Sequence, residues 1–207
     1  YRPEYRHGWA SRTYYNQVRL DPLTPQSAEE LLETLLGRAS DLVPLKALLI
    51  ERTQGNPFFL EESVRTLVET KIVVGQRGAF HLARPLSSIR VPATVQTMLA
   101  ARIDRLSAEE KKLLQTAAVI GREFSLPLLE ASMRPEGGDL GTGIARLQSA
   151  EFLYESSLFP EIEYTFKHVL TQEVAYDSLL IDRRRALHAR ILETIEGFSA
   201  DRLASEA

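Results

Sequence analysis

The string Gly55-Asn56-Pro57 is the part of the sequence best suited to contact a ligand. Gly55 closes one predicted helix, Asn56 is a favoured N-cap, and Pro57 is preset for the first position of the next helix. Such a corner is rigid, and it turns a flat apolar proline ring and free backbone amides outward together. A surface of this kind can lie against an adenine ring. The alternative is an ordinary turn between two helices, which composition alone favours.

Several motifs that indicate an enzyme are missing. No Gly-Lys dipeptide occurs, so the chain lacks a Gly-x-x-x-x-Gly-Lys-Ser/Thr loop to cradle phosphates, and we expect it not to bind ATP strongly by itself. Neither His-Glu-x-x-His nor Gly-x-Ser-x-Gly occurs, and the 4 histidines are too scattered for a zinc site. We therefore predict no catalytic residue and no metal ligand in this chain.

Composition limits the class of protein further. The chain has 207 residues, which is enough for two small units with separate cores. Its 25 basic and 28 acidic residues give a net charge of -3, so no global positive field attracts nucleic acid or anionic lipid. The absence of cysteine excludes disulfides and agrees with a reducing cytoplasm.

The sequence shows no membrane anchor and no targeting segment. No apolar run approaches the ~20 residues that span a bilayer, so we expect a cytoplasmic protein. The polar start without an initiator Met suggests a segment cut from a longer protein.

Helical periodicity dominates the first half of the chain. Alternation in residues 16–20 predicts a short strand at the edge of a sheet. The elements predicted after it are a helix from Thr24 to a left-handed cap at Gly37, a helix capped by Asp41 that runs to Thr53, a helix from Asn56-Pro57, a hairpin over residues 72–82 and a helix from Thr94 to Ser107.

The second half has the element order of a winged helix. Ser107 and Glu110 form a predicted capping box at the start of a helix that ends at Gly121. The order helix, helix, helix, hairpin is that of a winged helix, a relative of helix-turn-helix. The later predicted elements are helices over residues 125–133 and 140–150, strands over 152–154 and 162–166, and helices over about 168–180 and 183–196.

Six strings, in this order, carry a family resemblance: Tyr1-Arg2-Pro3-Glu4-Tyr5, Gly55-Asn56-Pro57-Phe58-Phe59-Leu60-Glu61-Glu62, Val91-Pro92-Ala93-Thr94-Val95-Gln96, Leu99-Ala100-Ala101-Arg102-Ile103-Asp104-Arg105-Leu106, Gln115-Thr116-Ala117-Ala118-Val119-Ile120-Gly121 and Phe166-Lys167-His168-Val169-Leu170-Thr171-Gln172-Glu173-Val174-Ala175-Tyr176. Together they resemble the AAA-like ATPase segment of bacterial adenylate/guanylate cyclases, which belong to the STAND class of signal-transduction ATPases. The resemblance spans nearly the whole chain.

The resemblance implies a nucleotide-operated switch. An upstream ATPase core of the same protein would hold ATP or ADP with Mg²⁺, and this chain would sense their state for a cyclase domain. A superhelical repeat region would follow downstream. The implied partners are therefore other domains of the same protein, with no nucleic acid and no membrane.

The resemblance also carries four residues over as nucleotide contacts. Arg2 matches a sensor arginine that approaches the terminal phosphate. Pro57, with Asn56 beside it, matches the proline of a Gly-x-Pro element that packs against adenine. His168 matches a histidine that opens a winged-helix-domain helix and contacts the β-phosphate, and a helix N-terminus with an imidazole suits an anion. The sequence departs from the Met-His-Asp form of that motif, since Lys167 and Val169 flank the histidine.

Two rival functions remain open. The same lid and winged helix could form the regulatory arm of a large ATP-dependent transcription activator. A winged helix could also bind DNA directly, but its presumed recognition helix offers little beyond Arg146 and Gln148, and Glu155 and Glu161 lie in its hairpin.

We therefore predict a mainly α fold with small β elements, the C-terminal arm of a P-loop NTPase. Residues 1–22 are assigned to the C-terminal edge of the α/β ATPase core and residues 23–106 to a helical lid with a small hairpin. Residues 107–182 are assigned to a winged-helix domain, and residues 183–207 to a helix that leads to the repeat region.

Overall fold

A computed structural model describes residues 21–85, 92–133, 139–159 and 161–205, with backbone alone for residues 199–205. The described part is mainly helical and contains two small antiparallel sheets, which confirms the predicted class at this level. The strand predicted over residues 16–20 lies outside the described residues.

The chain divides into two compact units. One comprises residues 1–64 and 71–89, and the other comprises residues 65–70 and 90–207. The helix over residues 95–104, which was assigned to the lid, belongs to the second unit. The assignment of lid and winged-helix domains to these ranges stays a prediction.

The first unit is built from helices around a two-stranded hairpin. Thr24 Oγ1 caps the first helix by accepting a hydrogen bond of 3.2 Å from the Ser27 amide, and Gly37 ends that helix with φ 103°. Its elements are α1 (Pro25–Leu36), a 3-10 turn (Ser40–Leu42), α2 (Val43–Thr53), the first part of α3 (Pro57–Glu69), β1 (Val73–Gln76) and β2 (Ala79–Leu82).

Asp41 does not cap α2, and this prediction was wrong. It lies within the 3-10 turn, and its Oδ2 atom accepts a hydrogen bond of 2.9 Å from the backbone amide of Leu82 at the end of β2. α2 begins at Val43 with no side-chain cap. The carboxylate therefore satisfies a backbone donor of the hairpin instead of a helix end.

The hairpin loop lies against the end of α1. β1 and β2 pair from Val73↔Leu82 to Gln76↔Ala79, which leaves a two-residue loop, Arg77-Gly78. The Gly78 amide donates to the Leu35 carbonyl at 3.1 Å. A Cβ atom on Gly37 would lie 2.3 Å from the carbonyl oxygen of Gly78, so only glycine fits there.

The second unit packs helices around a three-stranded sheet. Ser107 and Glu110 form the predicted capping box at its second helix. The sheet order is β3-β5-β4, and both pairs are antiparallel. After the last residues of α3, its elements are α4 (Val95–Asp104), α5 (Ala108–Ile120), β3 (Glu123–Ser125), α6 (Leu126–Met133), α7 (Leu140–Ser149), β4 (Leu153–Ser157), β5 (Glu163–Phe166), α8 (Val169–Asp177) and α9 (Ile181–Ser205).

The core of the second unit consists of two clusters of buried apolar side chains. In the larger one, buried side chains of α5 and α7 pack with Phe166 of β5 and with Phe152, which precedes β4. A smaller cluster joins Val119 of α5 to Leu187 and Ile191 of α9. β3 was not predicted, because it has three residues and pairs with a strand about 40 residues further along the chain.

Candidate functional site

The predicted corner at the start of α3 is present. Asn56 Oδ1 accepts a hydrogen bond of 3.0 Å from the Phe59 amide, and the Asn56 carbonyl accepts one of 3.0 Å from the Leu60 amide. Asn56 therefore caps α3, and Pro57 is its first residue. Both side chains are exposed.

The backbone around Gly55 fixes the corner. Gln54 takes the left-handed cap of α2 with φ 50°, and Gly55 follows with φ 73°. The Gly55 carbonyl accepts a hydrogen bond of 2.9 Å from the Leu23 amide. A Cβ atom on residue 55 would lie 2.3 Å from the Leu23 carbonyl oxygen, so the segment before α1 closes tightly on this glycine.

The geometry of this corner would allow it to bind a flat ligand. It presents an apolar ring at the positive end of a 13-residue helix whose first turn contains no acidic side chain. The helix is anchored behind the corner by Phe59, Leu60 and Val64, which are all buried. An exposed apolar surface held on a rigid support can receive a flat ligand without reorganising.

His168 occupies the N-cap position of α8. Its backbone is extended, with φ -138° and ψ 141°, and its carbonyl accepts a hydrogen bond of 3.0 Å from the Thr171 amide. The imidazole is half-buried and does not cap the helix, and its Nε2 atom is shielded from solvent. The first turn of α8 contains no acidic residue.

Lys167, which precedes His168, is held by an ion pair. Its Nζ atom pairs with Glu151 Oε2, and its backbone amide donates to the Phe152 carbonyl at 3.0 Å. Arg65 of α3 pairs with the same oxygen of Glu151. Burial alone would raise the pKa of Glu151, but hydrogen bonds and charges from Lys167 and Arg65 outweigh it and lower this pKa below its usual value.

Glu151 thus links α3 to the turn that precedes α8. It lies in the turn after α7 with φ 55°, a left-handed conformation that non-glycine residues adopt rarely. Arg65 belongs to the part of α3 that lies in the second unit, so both ion pairs of Glu151 lie within that unit.

Arg102 is a buried cation that the sequence reasoning missed. Only 3% of the residue is exposed, its guanidinium lies 4.6 Å from the centre of the Phe152 ring, and Glu69 pairs with it at 3.1 Å. The signal was present, because Arg102 follows Met98 and Leu99 at helical spacing and therefore lies on the buried face of α4. Its partners lie 33 and 48 residues away in sequence and could not be read from that spacing.

The structure places the predicted contacts in two groups. Asn56 and Pro57 are adjacent in the first unit, and His168 belongs to the second. Arg2 lies outside the described residues. Among the residues that are described, no cluster of three or more His, Asp or Glu side chains could hold a metal ion, and no helix is long and apolar enough to cross a membrane.

No family model matches the chain. The sequence is 25% identical over 199 residues to uncharacterized protein R02095 of Rhizobium meliloti (strain 1021). The match covers 94% of this chain and 19% of that protein, so the chain spans about a fifth of the relative's length. The relative's name states no activity, and the match brings no substrate or partner to this chain.

Proposed function

We propose that this chain is the nucleotide-sensing lid and winged-helix arm of a STAND-class ATPase module that regulates an adenylate/guanylate cyclase. The observation that carries the proposal is the exposed Pro57 ring at the rigid, capped start of α3. In this proposal the ring packs against the adenine of ATP or ADP. The chain changes conformation with the state of the nucleotide and passes that change to the cyclase domain.

The element order of the second unit supports the winged-helix part of the proposal. α5, β3, α6 and α7 are followed by the antiparallel pair β4 and β5, and β5 lies between the other two strands. This is the order of a winged helix, with α6 and α7 as the helix-turn-helix pair and β4–β5 as the wing. α8 then follows with His168 as its N-cap residue, and we propose the phosphate contact at this residue.

We assign ATP or ADP and Mg²⁺ mainly to an upstream core of the same protein. The chain has no phosphate-binding loop, so it would contribute a base contact at Pro57 and a phosphate contact at His168. The length of R02095 outside the match leaves room for such further domains in the relative.

Direct DNA binding is the less favoured function. Arg146, on the presumed recognition helix α7, pairs with Glu110 at 3.3 Å. Glu155 and Glu161 are exposed in the hairpin that would approach phosphates. Acidic side chains there repel a nucleic-acid backbone. The arm of a transcription activator would share the proposed geometry, and a DNA-binding domain after the repeat region would distinguish it from a cyclase regulator.

The test replaces Pro57 in the full-length protein. We expect Pro57→Ala to weaken retention of ADP about fivefold to tenfold, because an apolar contact of roughly 1 kcal/mol is lost. Pro25→Ala is the matched control, since Pro25 is also exposed and is also the first residue of a helix. The measurement is the dissociation rate of a fluorescent ADP analogue. Equal rates for the wild type and Pro57→Ala would refute the adenine contact, and absence of bound nucleotide would refute the switch.

A further inference from the structure

The hairpin between β4 and β5 ends in two highly exposed apolar side chains. Leu158 is 71% exposed and Phe159 is 86% exposed. The tip is held in shape by a hydrogen bond of 2.9 Å from Ser157 Oγ to the Phe159 carbonyl. Exposed leucines are common, but an ordered, nearly fully exposed phenylalanine next to a leucine indicates a contact surface.

The hairpin that carries this apolar tip is negatively charged. Residues 153–166 contain three glutamates, Glu155, Glu161 and Glu163, and no basic residue. All three glutamates are exposed. We name Leu158, Phe159, Glu155 and Glu161 the hairpin patch. Its charge disfavours anionic lipid and nucleic acid, and it favours a surface that combines apolar and basic side chains.

A surface of that kind exists on the same chain, where α8 ends and α9 begins. Leu180 is 79% exposed and Ile181 is 66% exposed. Residues 180–185 contain three arginines and one aspartate, and Arg183 and Arg185 are exposed. We name Leu180, Ile181, Arg183 and Arg185 the junction patch.

The junction patch is also fixed in shape. Arg184 donates to the Leu179 carbonyl at 3.3 Å and lies 4.2 Å from the centre of the Tyr176 ring. Leu179 is buried with only 5% exposed. Because these neighbours hold the turn, Leu180 and Ile181 are presented outward.

We propose that the hairpin patch of one copy of this chain docks on the junction patch of a second copy. Each patch contributes one pair of exposed apolar side chains, and the glutamates of one face the arginines of the other. All four apolar side chains are exposed, so neither patch is covered by the residues that the structure describes. The inference does not rest on the proposed nucleotide function.

The two patches are different surfaces, so the contact is head to tail. After two copies pair, one hairpin patch and one junction patch of the pair remain available, and longer assemblies or rings follow. Four apolar side chains make a small interface, and self-association is therefore weak and transient. Since the patches carry opposite charges, added salt weakens it.

The test is sedimentation equilibrium of the 207-residue chain over a concentration series at low salt. We expect the average mass to rise above 23.3 kDa with concentration and to fall again in high salt. Phe159→Ser removes the hairpin patch, and Leu180→Ser with Ile181→Ser removes the junction patch. Each variant alone is expected to stay monomeric, with a melting temperature close to that of the wild type, because the replaced side chains are exposed.

Mixing the two variants gives the sharpest result. The intact junction of Phe159→Ser chains can bind the intact hairpin of the junction variant, so the equimolar mixture is expected to form dimers and nothing larger. A monomeric wild type at all concentrations overturns the proposal. The proposal is also overturned if either variant alone associates as strongly as the wild type. It is overturned as well if the mixture of the two variants stays monomeric.

Discussion

The guanidinium of Arg102 donates a hydrogen bond of 2.7 Å to the carbonyl oxygen of Ala150. Ala150 follows the last turn of α7, where helix carbonyls lack intrahelical partners and where a cation is favoured. Arg65 also donates to this carbonyl, at 3.2 Å. Arg102 thereby ties α4 to the end of α7 within the second unit.

Replacing Arg102 is expected to destabilise the protein far more than replacing Arg105. Both residues pair with Glu69, but Arg102 is buried and Arg105 is exposed. Arg102→Ala removes a buried ion pair, a helix-end hydrogen bond and a cation–π contact, for a loss of about 2 kcal/mol or more. Arg105→Ala breaks a partly exposed pair worth less than about 1 kcal/mol. Denaturant unfolding of both variants measures the difference, and equal losses would contradict the role assigned to burial.

The ion pairs of Glu151 predict a stability contribution that depends on pH. The lowered pKa of Glu151 means that the folded state favours its ionised form. The contribution is therefore fully present above the ordinary glutamate pKa of about 4.3 and is lost as the pH falls through the lowered value. We expect Glu151→Gln to be less stable than the wild type at pH 7, with the difference vanishing in acid.

A double-mutant cycle isolates the cause of that pH dependence. Lys167→Gln, Glu151→Gln and the double variant give the coupling between the two side chains. Because the pKa of Glu151 is lowered, we expect coupling at pH 7 that decreases as the pH falls and is smaller at pH 3. A coupling of the same size at both pH values would show that charge pairing is not its source.

Adding a methyl group to two different glycines is expected to have opposite effects. Gly55→Ala places Cβ against the Leu23 carbonyl in a backbone with φ 73°, and we expect a loss of at least about 2 kcal/mol. Gly197→Ala lies within α9, where the added Cβ has no neighbour within 4 Å beyond the adjacent residues and the local helix backbone, and a gain of about 0.5–1 kcal/mol follows from helix propensity. Thermal melts of both variants provide the measurement, and a stabilised Gly55→Ala would show that the corner is not rigid.

His168→Ala tests the second proposed nucleotide contact. If the imidazole holds the closed state through the phosphate, we expect the variant to raise the basal cyclase output of the full-length protein. His188→Ala is the control, because His188 Nε2 lies 3.0 Å from Tyr176 Oη, near the C-terminal end of α8 and not at its start. The measurement is cyclase activity in the absence of stimulus. Unchanged basal activity in His168→Ala would leave His168 with a structural role only.

Features encoded within one helical turn could be predicted from the sequence. The Ser107 amide donates to Glu110 Oε2 at 2.9 Å, and Ser107 Oγ accepts from the Glu110 amide at 3.2 Å, as the capping-box spacing predicts. The cap at Asn56 and the helix start at Pro57 were predicted on the same basis. These signals are local, because the partners lie three residues apart.

Features that depend on distant partners were missed or predicted wrongly. Asp41 resembles an N-cap in sequence, yet its partner is an amide 41 residues away. β3 and the setting of Arg102 likewise depend on residues far along the chain. The corner at Pro57 was predictable for the same reason that the capping box was. The contact of Pro57 with a purine stays a prediction, because the phosphate-binding loop of the proposed ATPase core is not part of this chain.

The close fit between Gly37 and Gly78 bears on how reporters can be attached to this protein. Two-residue surface loops often tolerate an inserted tag, since few backbone groups there are engaged. Here the Gly78 amide donates a hydrogen bond to the Leu35 carbonyl at the end of α1. The space beside residue 37 is too small for one additional carbon atom. An epitope tag inserted between Arg77 and Gly78 would therefore disrupt the contact between α1 and the hairpin loop. Such labels should be placed elsewhere.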